Sequence, residues 1–130
     1  MTHPCKKLLS EEERIARALK VINYLIDRGV DINYRDKNGG TALYSAVHWQ
    51  NFELAELLLS RGADPNLGST ENFINLPLIS ATVKQNMNLM ILLISYGADV
   101  EQAFRLSEQE KSGFKLSEEQ RKILRSASNL

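Results

Sequence analysis

Apolar residues recur along this chain at the spacing of helix faces. Ile15, Ala18, Leu19, Ile22, Leu25 and Ile26 form an amphipathic stripe, predicting one long helix. Ser10 and Glu13 stand ahead of it as a capping box, and Glu11 to Glu13 suit a helix N-terminus. Leu43, Ala46 and Val47 follow Thr41, whose hydroxyl can accept a bond from a free N–H of the first turn. A helix from about Phe52 to Ser60 carries Leu54, Leu57 and Leu58 on one face, and Gly62 ends it. Pro77 suits a first helical position, with Leu78, Ala81 and Thr82 behind it. Leu89, Ile91, Leu92 and Leu93 then form a helix closed by Gly97.

Residues 102–112 read as helical through Ala103, Phe104 and Leu106, with an interruption at Gly113. Ser117 and Gln120 make a second capping box. Leu116, Ile123, Leu124 and Ala127 form a narrow stripe behind it, with Arg121, Lys122 and Arg125 outside.

The elements repeat. NYLIDRGVDIN (23–33), ELLLSRGADPN (56–66) and ILLISYGADVE (91–101) align, as do TALYSAV (41–47) and LPLISAT (76–82). Gly29 and Gly62 are 33 positions apart, and Gly62 and Gly97 are 35 apart. The longer spacing places two extra residues between Asn66 and Leu76. Each unit reads as helix, turn, helix and extended turn.

This pattern resembles the ankyrin repeat family, whose unit of about 33 residues carries Thr-Pro-Leu-His and a later Gly-Ala-Asp-x-Asn. The second unit, Asp36 to Asn66, matches closely and departs at Ala42 for Pro, Tyr44 for His and Gln50 for Gly. The third keeps Pro77, Leu78, Ala81 and Gly97-Ala98-Asp99. Ile74 and Leu76 replace its loop glycine and threonine, so an irregular finger loop is expected there. The resemblance is strong over 18–101 and fades at both ends.

The implied fold is an all-α ankyrin-repeat solenoid, with about two full repeats between N- and C-terminal helical caps. A single domain over 1–130 would divide into an N-terminal capping unit (1–33), a repeat (34–66), a repeat with a two-residue finger insertion (67–101) and a C-terminal cap (102–130). Polar cap faces argue against a fragment of a larger scaffold.

Composition narrows the function. The 130 residues are 43% apolar and 25% charged, as in ordinary globular domains. Sixteen basic residues balance sixteen acidic ones, which argues against a nucleic-acid binder. The longest strongly apolar run, 89–94, is far short of the roughly 20 residues of a membrane span. No signal-like apolar region follows the N-terminus. The single cysteine, Cys5, reads as a free thiol, and the expected location is cytoplasmic.

Catalytic groups are sparse. The histidines are His3 and His48, and no glycine-rich phosphate loop or Gly-x-Ser-x-Gly occurs. His3 with Cys5 makes two ligands at best, where zinc takes four. The sequence therefore points to no catalytic site, metal or cofactor, and an enzyme is the improbable rival.

The resemblance implies partner contacts through projecting finger turns and a palm made by the first helix of each unit, together a concave face. In the second unit these positions are Lys37, Asn38, Gly40, His48 and Trp49, with Tyr44 beside them. In the third they are Asn72, Phe73, Asn75, Val83 and Lys84, with Ile79 beside them. Trp and Tyr suit interface anchors because they bury much area at little rotamer cost. Two placements stay open for Trp49 and Phe73: the contact face, or packing across units and over the core. His48 is either a contact or a solvated helix end. Residues 67–101 carry only Lys84 against Glu71, Asp99 and Glu101, and interface cores are depleted of charge. The expectation is a protein partner, not nucleic acid or lipid, bound by a chain that is monomeric alone. An alternative is a bacterial immunity or inhibitor protein that neutralises a toxin or effector.

Overall fold

The computed structural model describes residues 9–68, 76–109 and 115–128. Among them are seven α-helices and no strand: α1 (Glu11–Asp27), α2 (Ala42–His48), α3 (Phe52–Ser60), α4 (Pro77–Val83), α5 (Met87–Ser95), α6 (Val100–Glu108) and α7 (Glu118–Ser128). They fall into two compact units, Met1–Asp31 and Ile32–Leu130.

The first unit is built on α1. The Ser10 hydroxyl accepts from the Glu13 N–H at 3.2 Å and meets the Glu13 carboxylate at 3.2 Å. That reciprocal pair is the capping box, closed side chain to side chain. Ile15, Leu19, Ile22 and Ile26 of the expected stripe are half-buried, whereas Ala18 and Leu25 are exposed.

In the second unit the helices form two stacks. α2 packs against α4 and α4 against α6, while α3 packs against α5 and α5 against α7. Within a repeat, α2 packs on α3 and α4 on α5. The last two helices therefore continue both stacks, pairing with each other as α2 and α3 do. The Ser117 N–H donates to Gln120 Oε1 at 2.9 Å and the Gln120 N–H to Ser117 Oγ at 3.2 Å, so this capping box is complete. Gln120 is itself buried and donates through Nε2 to the Thr82 carbonyl at 2.7 Å, tying α7 to the end of α4.

One turn geometry closes five helices. The N–H of Gly62 meets the Leu59 carbonyl and that of Ala63 the Leu58 carbonyl. Gly29 and Val30, and Gly97 and Ala98, make the same two bonds at α1 and α5. This is the Schellman ending, which needs a left-handed residue. Gly62 and Gly97 supply it with φ of 98°. At α2 and α4 the position is held by Gln50 (φ 55°) and Gln85 (φ 57°), each bonding in the same pattern.

Three sequence expectations are corrected. On α3 the buried side is Ala55, Leu58 and Leu59, with Leu54 and Leu57 half-buried. On α5 it is Leu89, Met90, Leu93 and Ile94, while Ile91 faces solvent. Both helices are apolar nearly all round, so polar residues do not fix the phase of the stripe. Finally, α6 starts at Val100 and ends at Glu108, short of residue 112, because Gln109 is extended. Its apolar side runs out at Leu106, and the residues after it are polar up to Phe114. The expected break at Gly113, the third unit's finger loop, and the terminal His3 and Cys5 lie outside the described residues.

Candidate functional site

The second unit's finger is the turn from Tyr34 to Gly40. Asp36 organises it. Its Oδ1 accepts from the N–H groups of Asn38 at 2.8 Å and Gly40 at 2.9 Å. The Asp36 N–H donates to the Gly40 carbonyl at 3.0 Å, and Gly39 takes the positive φ of the turn, 83°. A side chain at Gly40 would meet the Asp36 carboxylate at 3.4 Å and the Tyr44 ring at 3.6 Å. Lys37 and Asn38 project into solvent from the same turn.

Thr41 then caps α2, its hydroxyl accepting from the Tyr44 N–H at 3.1 Å. One side of α2 buries Leu43, Ala46 and Val47. The other carries three rings in a row. Tyr44 and His48 have centroids 5.7 Å apart, and His48 meets Trp49 edge-on at 5.2 Å. Trp49 is the C-cap and is 78% exposed. Against the described residues it therefore does not pack across units.

In α4, Pro77 opens the helix and no side chain caps it, because the N-cap residue is Leu76. Residues 76–82 are all buried. Ile79 is only 8% exposed, which corrects its assignment beside the contact positions. It shares a small crevice with Gln102 and Ala103, because α6 packs on α4 on that side. The helix surfaces at Val83, 63% exposed, and at Lys84, its C-cap. These two stand 35 positions after His48 and Trp49, at the same repeat positions on adjacent helices. Asn72, Phe73 and Asn75 lie outside the described residues.

Sequence reasoning missed two finger residues. Tyr34 is 69% exposed and Arg35 is exposed, its Nη1 lying 3.5 Å from the Gly68 carbonyl. The available signal was an aromatic ring in the polar stretch NYRDKN, where no helical period calls for one. A rival apolar surface lies between α3 and α5, a shallow groove lined by Phe52, Asn88, Ile91, Leu92 and Ser95. Among the described residues no three His, Cys, Asp or Glu side chains gather to hold a metal, and no helix is long and apolar enough to cross a membrane.

Comparison with known proteins bears on this arrangement. The family described as ankyrin repeats (many copies) matches residues 14–59. The solved structure of the Legionella effector AnkH superposes on 71% of this chain with a TM-score of 0.63 at 35% identity. The chain belongs to the ankyrin-repeat family.

Its ankyrin relatives are spread widely. An ankyrin repeat protein of fowlpox virus (strain NVSL), FPV018, is 35% identical over 82 residues, 62% of this chain. One from Rickettsia bellii (strain RML369-C) is 31% identical over 82 residues, 60% of this chain and 23% of that protein. This ankyrin chain spans 11% of the FPV018 length and 20% of the AnkH chain. Ankyrin repeats are a protein-interaction fold.

Proposed function

We propose that this chain is a non-catalytic binding module that docks a folded protein through the 34–40 finger and the C-terminal ends of α2 and α4. One observation carries the reading. Trp49 is 78% exposed at the end of a helix whose Leu43, Ala46 and Val47 are buried. An exposed tryptophan loses little entropy on contact and can bury a large area, which is why such residues dominate interface energetics.

Its surroundings support the role. His48 meets the ring edge-on with Tyr44 behind it, and Val83 is a further exposed apolar side chain on the adjacent helix of the next repeat. The Asp36 bonds of the finger and the Thr41 cap of α2 favour a face formed before a partner arrives. The groups it presents are rings, an aliphatic side chain, amides and ammonium groups, which suit burial and hydrogen bonding rather than bond cleavage.

The test is affinity capture from the native cell, followed by titration of the captured protein against variants. Trp49→Ala is expected to weaken binding at least about thirtyfold, and Arg121→Ala on α7 to leave it unchanged. A captured protein that binds both variants like the parent chain would remove the face from consideration.

A further inference from the structure

The chain as a whole is neutral, but its charges are segregated. No acidic residue occurs from Lys37 to Phe52 or from Leu76 to Ala98, and the cations in these stretches are Lys37 and Lys84. Both are exposed. Arg35 adds a third cation on the same finger. The acid beside it, Asp36, already has one carboxylate oxygen committed to two backbone N–H groups of its own turn. The remaining acids of this unit's helices lie elsewhere: Glu53 and Glu56 on α3, Glu101 and Glu108 on α6, Glu118 and Glu119 on α7. Glu71 lies outside the described residues.

The partial negative charge at a helix C-terminus offsets part of the Lys84 charge, but α4 has only seven residues and the finger cations have no such neighbour. The exposed ground is also narrow. α4 surfaces only at Val83 and the two residues after it. Trp49 past the end of α2 and Val83 at the end of the adjacent α4 are the exposed apolar groups of this narrow strip, which carries cations at the finger and at the α4 cap.

Resting on the docking face proposed above, we propose that this strip receives an acidic segment of the partner, carrying one large apolar side chain. The apolar side chain covers Trp49 and Val83. The segment's carboxylates face Lys37, Lys84 and Arg35. A basic segment would set like charges against these cations, and a nonpolar one would leave them unanswered.

The test is selection from a random-peptide display library on the immobilised chain, with counter-selection on Trp49→Ala. Enriched peptides are expected to be net negative and to contain an aromatic or large aliphatic residue. A representative synthetic peptide should bind a Lys37→Glu/Lys84→Glu double variant about tenfold more weakly, with the difference shrinking in high salt. Unchanged melting of the double variant checks that its fold is intact. Enriched peptides that are neutral or basic, or indifferent to the charge reversal, overturn the proposal while their dependence on Trp49 upholds the face. Peptides that bind Trp49→Ala equally well, or no enrichment at all, also overturn it, and titration of the captured protein then judges the face separately.

Discussion

Asn66 clasps the next repeat at Asp99. Its Oδ1 accepts from the Asp99 N–H at 2.8 Å, and its Nδ2 donates to the Gly97 carbonyl at 3.0 Å. Asn33, 33 positions earlier, holds the Asp64 N–H in the same way at 2.8 Å. The corresponding position of the third unit is Glu101, inside α6. There Asp99 accepts from the Gln102 N–H at 3.2 Å and starts a helix, whereas Asp64 bonds the Asn66 N–H at 2.9 Å and holds a turn. The same aspartate serves a turn or a cap according to the residues after it.

Replacing Asn66 with Ala removes both inter-repeat bonds. The expected loss is about 1–2 kcal/mol in urea unfolding, moderated because the Asn66 side chain is exposed to water. An unchanged midpoint would mean that stacking alone fixes the spacing of the units.

The left-handed glutamines offer a matched pair. Gln85→Gly is expected to stabilise the chain by about 1 kcal/mol, since a side chain in that region carries a steric penalty that glycine lacks. Gln50→Gly should gain less, because Gln50 Oε1 accepts from Asn86 Nδ2 at 3.3 Å and that bond would go. Thermal melts of both variants decide the order.

The glycine closures work the other way. A Cβ at Gly62 would meet nothing within 4 Å, so the strain of Gly62→Val comes from its positive φ. A cost of about 1 kcal/mol or more is expected in the same melts. Leu58 is 2% exposed, and Leu58→Ala should cost roughly 2–5 kcal/mol.

Much of this architecture was legible in the residues. Thr41, Ser10 and the Ser117–Gln120 pair announced three helix starts, and Gly62 and Gly97 two helix ends, because caps and left-handed turns admit few residue types. The buried sides of α3 and α5 were less legible. In ELLL and MILLI any phase buries leucines, and stacking on neighbouring helices makes the choice. An outward place for Trp49 followed only as one of two open placements, from its position just past a helix whose aliphatic side was already assigned. The burial of Ile79 did not, because it depends on α6, far along the chain and without a finger to announce it.

α7 covers apolar surface of α5, with Leu124 fully buried. Deleting residues 114–130 is expected to expose that surface and drive association, visible in light scattering. A truncated chain that stays monomeric with an unchanged melt would assign α7 no share in the core.

The central claim is that the ends of α2 and α4, and not the groove between α3 and α5, meet the partner. Its most direct test is titration calorimetry of the captured protein against Trp49→Ala and Ile91→Glu, one variant on each surface. The account predicts a loss of about 2 kcal/mol or more for Trp49→Ala and parent-like binding for Ile91→Glu. Full affinity in Trp49→Ala with loss in Ile91→Glu would contradict it.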